Sequence, residues 1–148
     1  MPIELKTIIE KIAKVLRDNE KIIFAILFGS YARGLMNIHS DLDLAVYFKE
    51  ELSFDELSEL ISSIASTLNI PEDKIDILIL DDDVPYELRY RIFRDGIPIL
   101  IKDEKAFKNY RDKSISLYLD FKVFKQKLGL DKRYIMALKR LFYGRSDS

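Results

Sequence analysis

Phe28-Gly29-Ser30-Tyr31-Ala32-Arg33-Gly34, joined by a short stretch to Ser40-Asp41-Leu42-Asp43-Leu44, is the segment on which the reading of this chain turns. Upstream of it, Lys21 to Phe28 is a continuous apolar run that stops at Gly29. Such a run predicts a strand covered on both faces. A Gly-Ser pair and a short helix are expected next, then a second strand over Leu42 to Phe48. Gly29 has no side chain, so a phosphate can come close to the backbone there. Amides at a helix start attract anions, and the Ser30 hydroxyl adds a donor. Taken alone, the same residues also fit a plain strand-to-helix turn.

Asp41 and Asp43 stand two apart at a strand start, so their carboxylates project from one face. Leu42, Leu44 and Val46 then anchor the other face in the core. Side-by-side carboxylates repel and are best tolerated around a divalent cation. Magnesium suits the pair, because it binds one or two carboxylates together with substrate phosphates. The pair alone also reads as a turn residue followed by a solvated one. Asp76 shifts the balance, since it interrupts the apolar run Ile75 to Leu80. There it needs a cation, a donor or an exposed strand end. If its strand neighbours the Asp41–Asp43 strand, three carboxylates converge, enough for a two-metal phosphoryl-transfer site. Asp81, Asp82 and Asp83 follow that strand and read as solvated residues capping a helix.

Outward from this centre, residues 4–17 carry Leu5, Ile8, Ile9, Ile12 and Leu16 at helical spacing. Ser53-Phe54-Asp55-Glu56 is a capping box opening a helix that stops before Pro71. A short helix is expected after Pro85, and a fourth strand over Ile97 to Ile101, where Pro98 argues for a sheet edge. A long helix runs from Asp103 toward Leu128, with Phe107, Tyr110, Leu117, Phe121 and Phe124 on its inner side. Asp131 can cap a last helix ending near Gly144. The expected architecture is α+β: a mixed sheet of about four strands packed with helices, plus C-terminal helices. Residues 1–102 form the core, and residues 103–148 are a helical extension of the same domain.

The chain has 148 residues, 48% hydrophobic and 33% charged, and no cysteine. That suits one folded domain and excludes disulfides and thiolate metal sites. A single histidine, His39, excludes a multi-histidine zinc site, and its place in a loop suggests a bracing role. No apolar run approaches a membrane span and the N-terminal stretch has no signal-peptide pattern, so a cytoplasmic location is the expectation. The net charge of −1 conceals a split. Residues 1–83 carry 8 Lys+Arg against 17 Asp+Glu, a balance of −9, and residues 84–148 carry 16 against 8, a balance of +8. One half suits cations and the other suits phosphates or an acidic partner, although the halves can also attract each other.

Gly29-Ser30, ten residues, then Asp41-Leu42-Asp43 resembles the signature of the DNA polymerase beta-like nucleotidyltransferase superfamily. The short chain looks like its minimal, single-domain branch. The stretches Leu88 to Gly96 and Tyr118 to Phe121 look like the C-terminal region of MntA-type antitoxins, which pair with HEPN-domain toxins of the HepT type. The resemblance implies a palm-like sheet and transfer of AMP from MgATP to a tyrosine hydroxyl of the partner ribonuclease toxin. It implies that Asp41 and Asp43 ligate two Mg²⁺ ions, and that Asp76 holds one and helps deprotonate the tyrosine. Gly29 and Ser30 would hold the triphosphate, and Arg33 would neutralise phosphate charge or pair with an aspartate. A hetero-oligomer with the toxin follows from the same likeness. A small hydroxylated acceptor, such as an antibiotic, and a non-catalytic module that masks a toxin are the competing readings. No RNA-binding module is recognisable, so direct nucleic-acid binding is not expected.

Overall fold

The computed structural model describes residues 3–35, 40–128, 136, 137 and 139–141. Helix α1 (Ile3–Arg17) leads into β1 (Ile22–Phe28), and β2 (Leu42–Phe48) is followed by α2 (Phe54–Leu68). A 3-10 turn at Glu72–Lys74 precedes β3 (Ile75–Ile79). Helix α3 (Tyr86–Asp95), β4 (Ile97–Ile101) and α4 (Glu104–Leu128) complete the order. The four strands form one mixed sheet in the order β3-β2-β1-β4. β1 pairs antiparallel with both β2 and β4, whereas β2 and β3 run parallel. The apolar β1 is central, and β4 with its Pro98 lies at an edge, where a missing N–H costs no ladder bond.

Strand periodicity sorts the core into two layers. Ile22, Ala25, Leu27, Leu42, Leu44 and Val46 pack with Leu5, Ile12 and Leu16 of α1 and Leu60 and Ile64 of α2. On the other face, Phe24, Ile26 and Ala45 pack with Ile92 of α3 and with Phe107 and Tyr110 of α4. Phe24 stacks on Tyr47 at 5.0 Å between centroids and meets Phe107 edge-on at 5.1 Å. The Ser53 box forms as expected: Glu56 N–H donates to Ser53 Oγ at 3.1 Å, and Ser53 N–H donates to Glu56 Oε1 at 3.0 Å. α2 ends on Asn69 in the left-handed region, φ +56°, two residues before Pro71.

Four local expectations need correction. The segment after Gly29 is a series of turns, with Arg33 N–H bonded to the Gly29 carbonyl and Leu35 N–H to the Ser30 carbonyl. Only one i→i−4 bond closes there before Gly34, at φ +70°, ends the segment in the left-handed region as at a helix C-terminus, so no full helix forms. β3 ends at Ile79, one residue short of Leu80. Asp81 caps no helix: its Oδ1 accepts from the N–H groups of Asp83 and Val84 in a tight turn, and Pro85 takes the N-cap of α3. Phe124 is 52% exposed instead of packed inward, although Phe107 and Tyr110 are buried. His39 and most of the expected last helix lie outside the described residues.

Candidate active site at one end of the sheet

Gly29 is glycine for two physical reasons. Its φ is +74°, in the left-handed region that side chains disfavour. A Cβ at this position would also collide with Oδ2 of Asp43, well inside contact distance. The backbone of the Gly29 turn therefore lies directly against the Asp43 carboxylate. Ser30 is the next residue of the turn and half-buried.

Asp43 lies opposite Phe28 across the β1–β2 ladder and level with Asp76 across the parallel β2–β3 pair. Registered residues of neighbouring strands project to the same side at about 4.8 Å spacing. Asp43 and Asp76 thus share the sheet face covered by α3 and α4, at the end where β1 finishes and β2 and β3 begin. Asp43 is half-buried, and its carboxyl is pushed up to about 6, first by burial and then by Asp76 and Asp41. Asp76 is exposed on the edge strand, which resolves the cost of a carboxylate in an apolar run. Asp41 is exposed just before β2, its Oδ1 4.0 Å from Lys74 Nζ.

The expected convergence is therefore partial. Asp43 and Asp76 are neighbours and Asp41 acts on Asp43, but among the described residues no three carboxylates form a gathered ligand set. Like charges on adjacent strands repel, and Lys74 attracts Asp41. The donors nevertheless fit a hard divalent ion: they are all oxygens, and a cation beside Asp43 would relieve the repulsion that raises its pKa.

A cleft of about 370 Å³ opens on the other side of Gly29. Phe28 and Gly29 form its sheet side, and Leu88 and Ile92 of α3 its apolar wall. Arg33 rims it, as do Arg91, Arg94 and Asp95 from the last turns of α3. Gly96 brings these residues in: a Cβ there would strike the Ile92 carbonyl and the Ile26 side chain, so glycine alone lets the end of α3 seat on β1. Arg33 was legible from the motif; the α3 residues were not. Their signal is the alternation of basic and apolar residues in Leu88 to Gly96, ended by a glycine.

A family model described as polymerase beta nucleotidyltransferase matches residues 10–105. A candidate protein adenylyltransferase of Methanocaldococcus jannaschii is 42% identical over 74 residues, 49% of this chain and 74% of that protein. The protein adenylyltransferase MntA of Shewanella oneidensis is 40% identical over 68 residues, covering 45% of this chain and 49% of its own. A crystallised toxin–antitoxin with AMP-PNP superposes at TM-score 0.64 and 28% identity, covering 81% of this chain and 94% of the other. The MNT antitoxin in complex with tri-AMPylated HEPN toxin from Shewanella oneidensis gives TM-score 0.61 and 25% identity, covering 84% and 94%. The turn, the carboxylate pair and these likenesses agree: the chain belongs to the polymerase beta nucleotidyltransferase family and is a nucleotidyltransferase akin to the MntA-type protein adenylyltransferases.

Proposed function

We propose that this chain transfers AMP from ATP, with Mg²⁺, to a tyrosine hydroxyl of a HEPN-type toxin, and so acts as its antitoxin. The observation that carries the reading is the contact between the Gly29 turn and the Asp43 carboxylate, with Asp76 level with Asp43 on the next strand. The relatives named as protein adenylyltransferases, and the AMPylated toxin in complex with one solved neighbour, support the acceptor class.

Asp41, Asp43 and Asp76 would hold the Mg²⁺ ions. When bound, Mg²⁺ neutralises charge on the phosphates and stabilises the oxygens of an in-line displacement. Gly29 and Ser30 offer the backbone approach and the hydroxyl for the triphosphate, and Arg33 supplies positive charge beside them. Asp76 is exposed at the sheet edge, where a hydroxyl carried in by a protein partner can reach it and give up its proton. A macromolecular acceptor suits this open edge, because it brings its own binding surface.

The test is transfer of label from α-labelled ATP in Mg²⁺ onto the HEPN partner. Label on a partner tyrosine that disappears with Asp43→Ala supports the proposal. Tight binding of the partner without transfer overturns it and leaves a masking protein.

A further inference from the structure

The cleft beside Gly29 carries more positive charge than the motif accounts for. Three arginines face a single carboxylate there. Arg94 is committed: it donates to both oxygens of Asp95, at 2.9 and 2.8 Å, and lies over the Tyr90 ring at 5.6 Å. A basic residue in the last turn of a helix also complements the helix dipole, which accounts for Arg94 in structural terms. That account does not extend to Arg33, which comes from the turn after β1, nor to Arg91, one turn deeper in α3. Both are exposed side chains on the cleft, and neither makes an ion pair among the described residues. Both still act on Asp95 at longer range and add to the lowering of its carboxyl by Arg94. With its one carboxylate already paired to Arg94, the cleft keeps a net surplus of positive charge, carried on guanidinium forks that match phosphate oxygens.

The order of groups across the sheet gives this charge a direction. Asp76 lies on β3, Asp43 on β2, Gly29 at the end of β1, and the arginine cleft beyond Gly29 against α3. On the carboxylate side a phosphate is attracted only through a bound cation, whereas on the arginine side the chain's own charge attracts it. An in-line displacement needs its nucleophile and its leaving group on opposite sides of the reacting phosphorus.

We propose that Arg91, acting with Arg33, holds the pyrophosphate end of the nucleoside triphosphate in the cleft between the Gly29 turn and α3. The inference rests on the reading above that this end of the sheet transfers a nucleotide. The acceptor oxygen forms a bond to the α-phosphorus from the Asp76 side, and its proton passes to that carboxylate. The bond between the α-phosphorus and the bridging oxygen breaks, and pyrophosphate leaves with the electron pair toward Arg91. Arg91 is then a residue of the leaving-group site, and Gly96 is what seats it there.

Binding of inorganic pyrophosphate, ATP and AMP to the full chain in Mg²⁺, followed by calorimetry at fixed ionic strength, tests this. Arg91→Ala is expected to weaken pyrophosphate and ATP by about 10- to 100-fold and to leave AMP within about twofold. Arg91→Lys is expected to recover only part, since an ammonium cannot reproduce the fork. Arg91 is exposed, so an unchanged thermal transition in both variants is expected. Pyrophosphate and ATP binding unchanged by Arg91→Ala overturns the proposal, as does an equal loss of AMP or a wild-type chain that binds no pyrophosphate. If wild type binds pyrophosphate through Arg91 yet transfers no AMP to a HEPN partner, the cleft assignment stands and the proposed reaction falls.

Discussion

Asp43 carries opposing demands. Its folded-state pKa of about 6 lies above the usual aspartate value, so between about pH 4 and 6 the folded chain holds a proton that the unfolded chain has lost. The metal-free protein therefore loses stability as pH rises through that window and levels off above it. Asp43→Asn removes the penalty, and above pH 6 it is expected to stabilise the metal-free chain by about 1 kcal/mol, a figure reduced for partial solvent screening. The same variant is expected to lower transfer by about 10³-fold, because the group that would bind the metal is gone. Urea unfolding in EDTA across pH 4–8 checks the first half and the label assay the second. Arg89 is a second residue under tension: it is 1% exposed, and its Nη2 has no hydrogen-bond partner among the described residues. Its Nε donates to Ser114 Oγ at 2.8 Å, and its guanidinium lies over the Tyr110 ring at 4.2 Å. Ser114→Ala leaves a second buried donor unpaired, and chemical denaturation should register a loss of about 1–3 kcal/mol.

At the scale of elements, what could be read from sequence was whatever local spacing controls. The Ser53 box, the edge position of Pro98 and the opposite faces of Asp43 and Leu44 follow from helix ends, a missing N–H and a period of two. Ser53→Ala should therefore cost about 1 kcal/mol in thermal unfolding and leave transfer unchanged, since α2 packs on the face away from the carboxylates. What could not be read were features set by long-range docking. The segment after Gly29 reads as a helix, but it closes a single i→i−4 bond before Gly34 at positive φ ends it. Arg91 and Asp95 join the site because α3 turns its end onto β1, a contact that the alternation in Leu88 to Gly96 marks but does not place. Asp41 was grouped with its neighbours by spacing, but Lys74, on the turn before β3, competes for it.

For the whole molecule, the charge split acquires a location. The acidic first half supplies α1, α2 and the carboxylate strands, and the basic second half supplies α3, β4 and α4. β4 is inserted beside β1, so the two halves share one sheet and meet at Gly29. On the proposed function, a nucleotide with its metal would bridge them and bind only the folded chain. At 100 times its Kd, MgATP should add about 2.7 kcal/mol to stability, and EDTA should abolish the rise in Tm seen by calorimetry. Among the described residues no helix is long and apolar enough to cross a membrane.

Asp76 sits on the outermost strand, paired on one side only, and that location has a consequence separate from chemistry. Without its charge, Ile75 to Leu80 is an unbroken apolar segment on what is a sheet edge among the described residues, the kind of surface that recruits a strand from another molecule. The carboxylate acts there as a gatekeeper against fibril-like association. Asp76→Ala should therefore scatter light on mild heating at concentrations where Asp76→Lys stays clear, although neither retains the acid. The same charge that would accept the tyrosine proton would then also oppose edge-to-edge pairing of two chains.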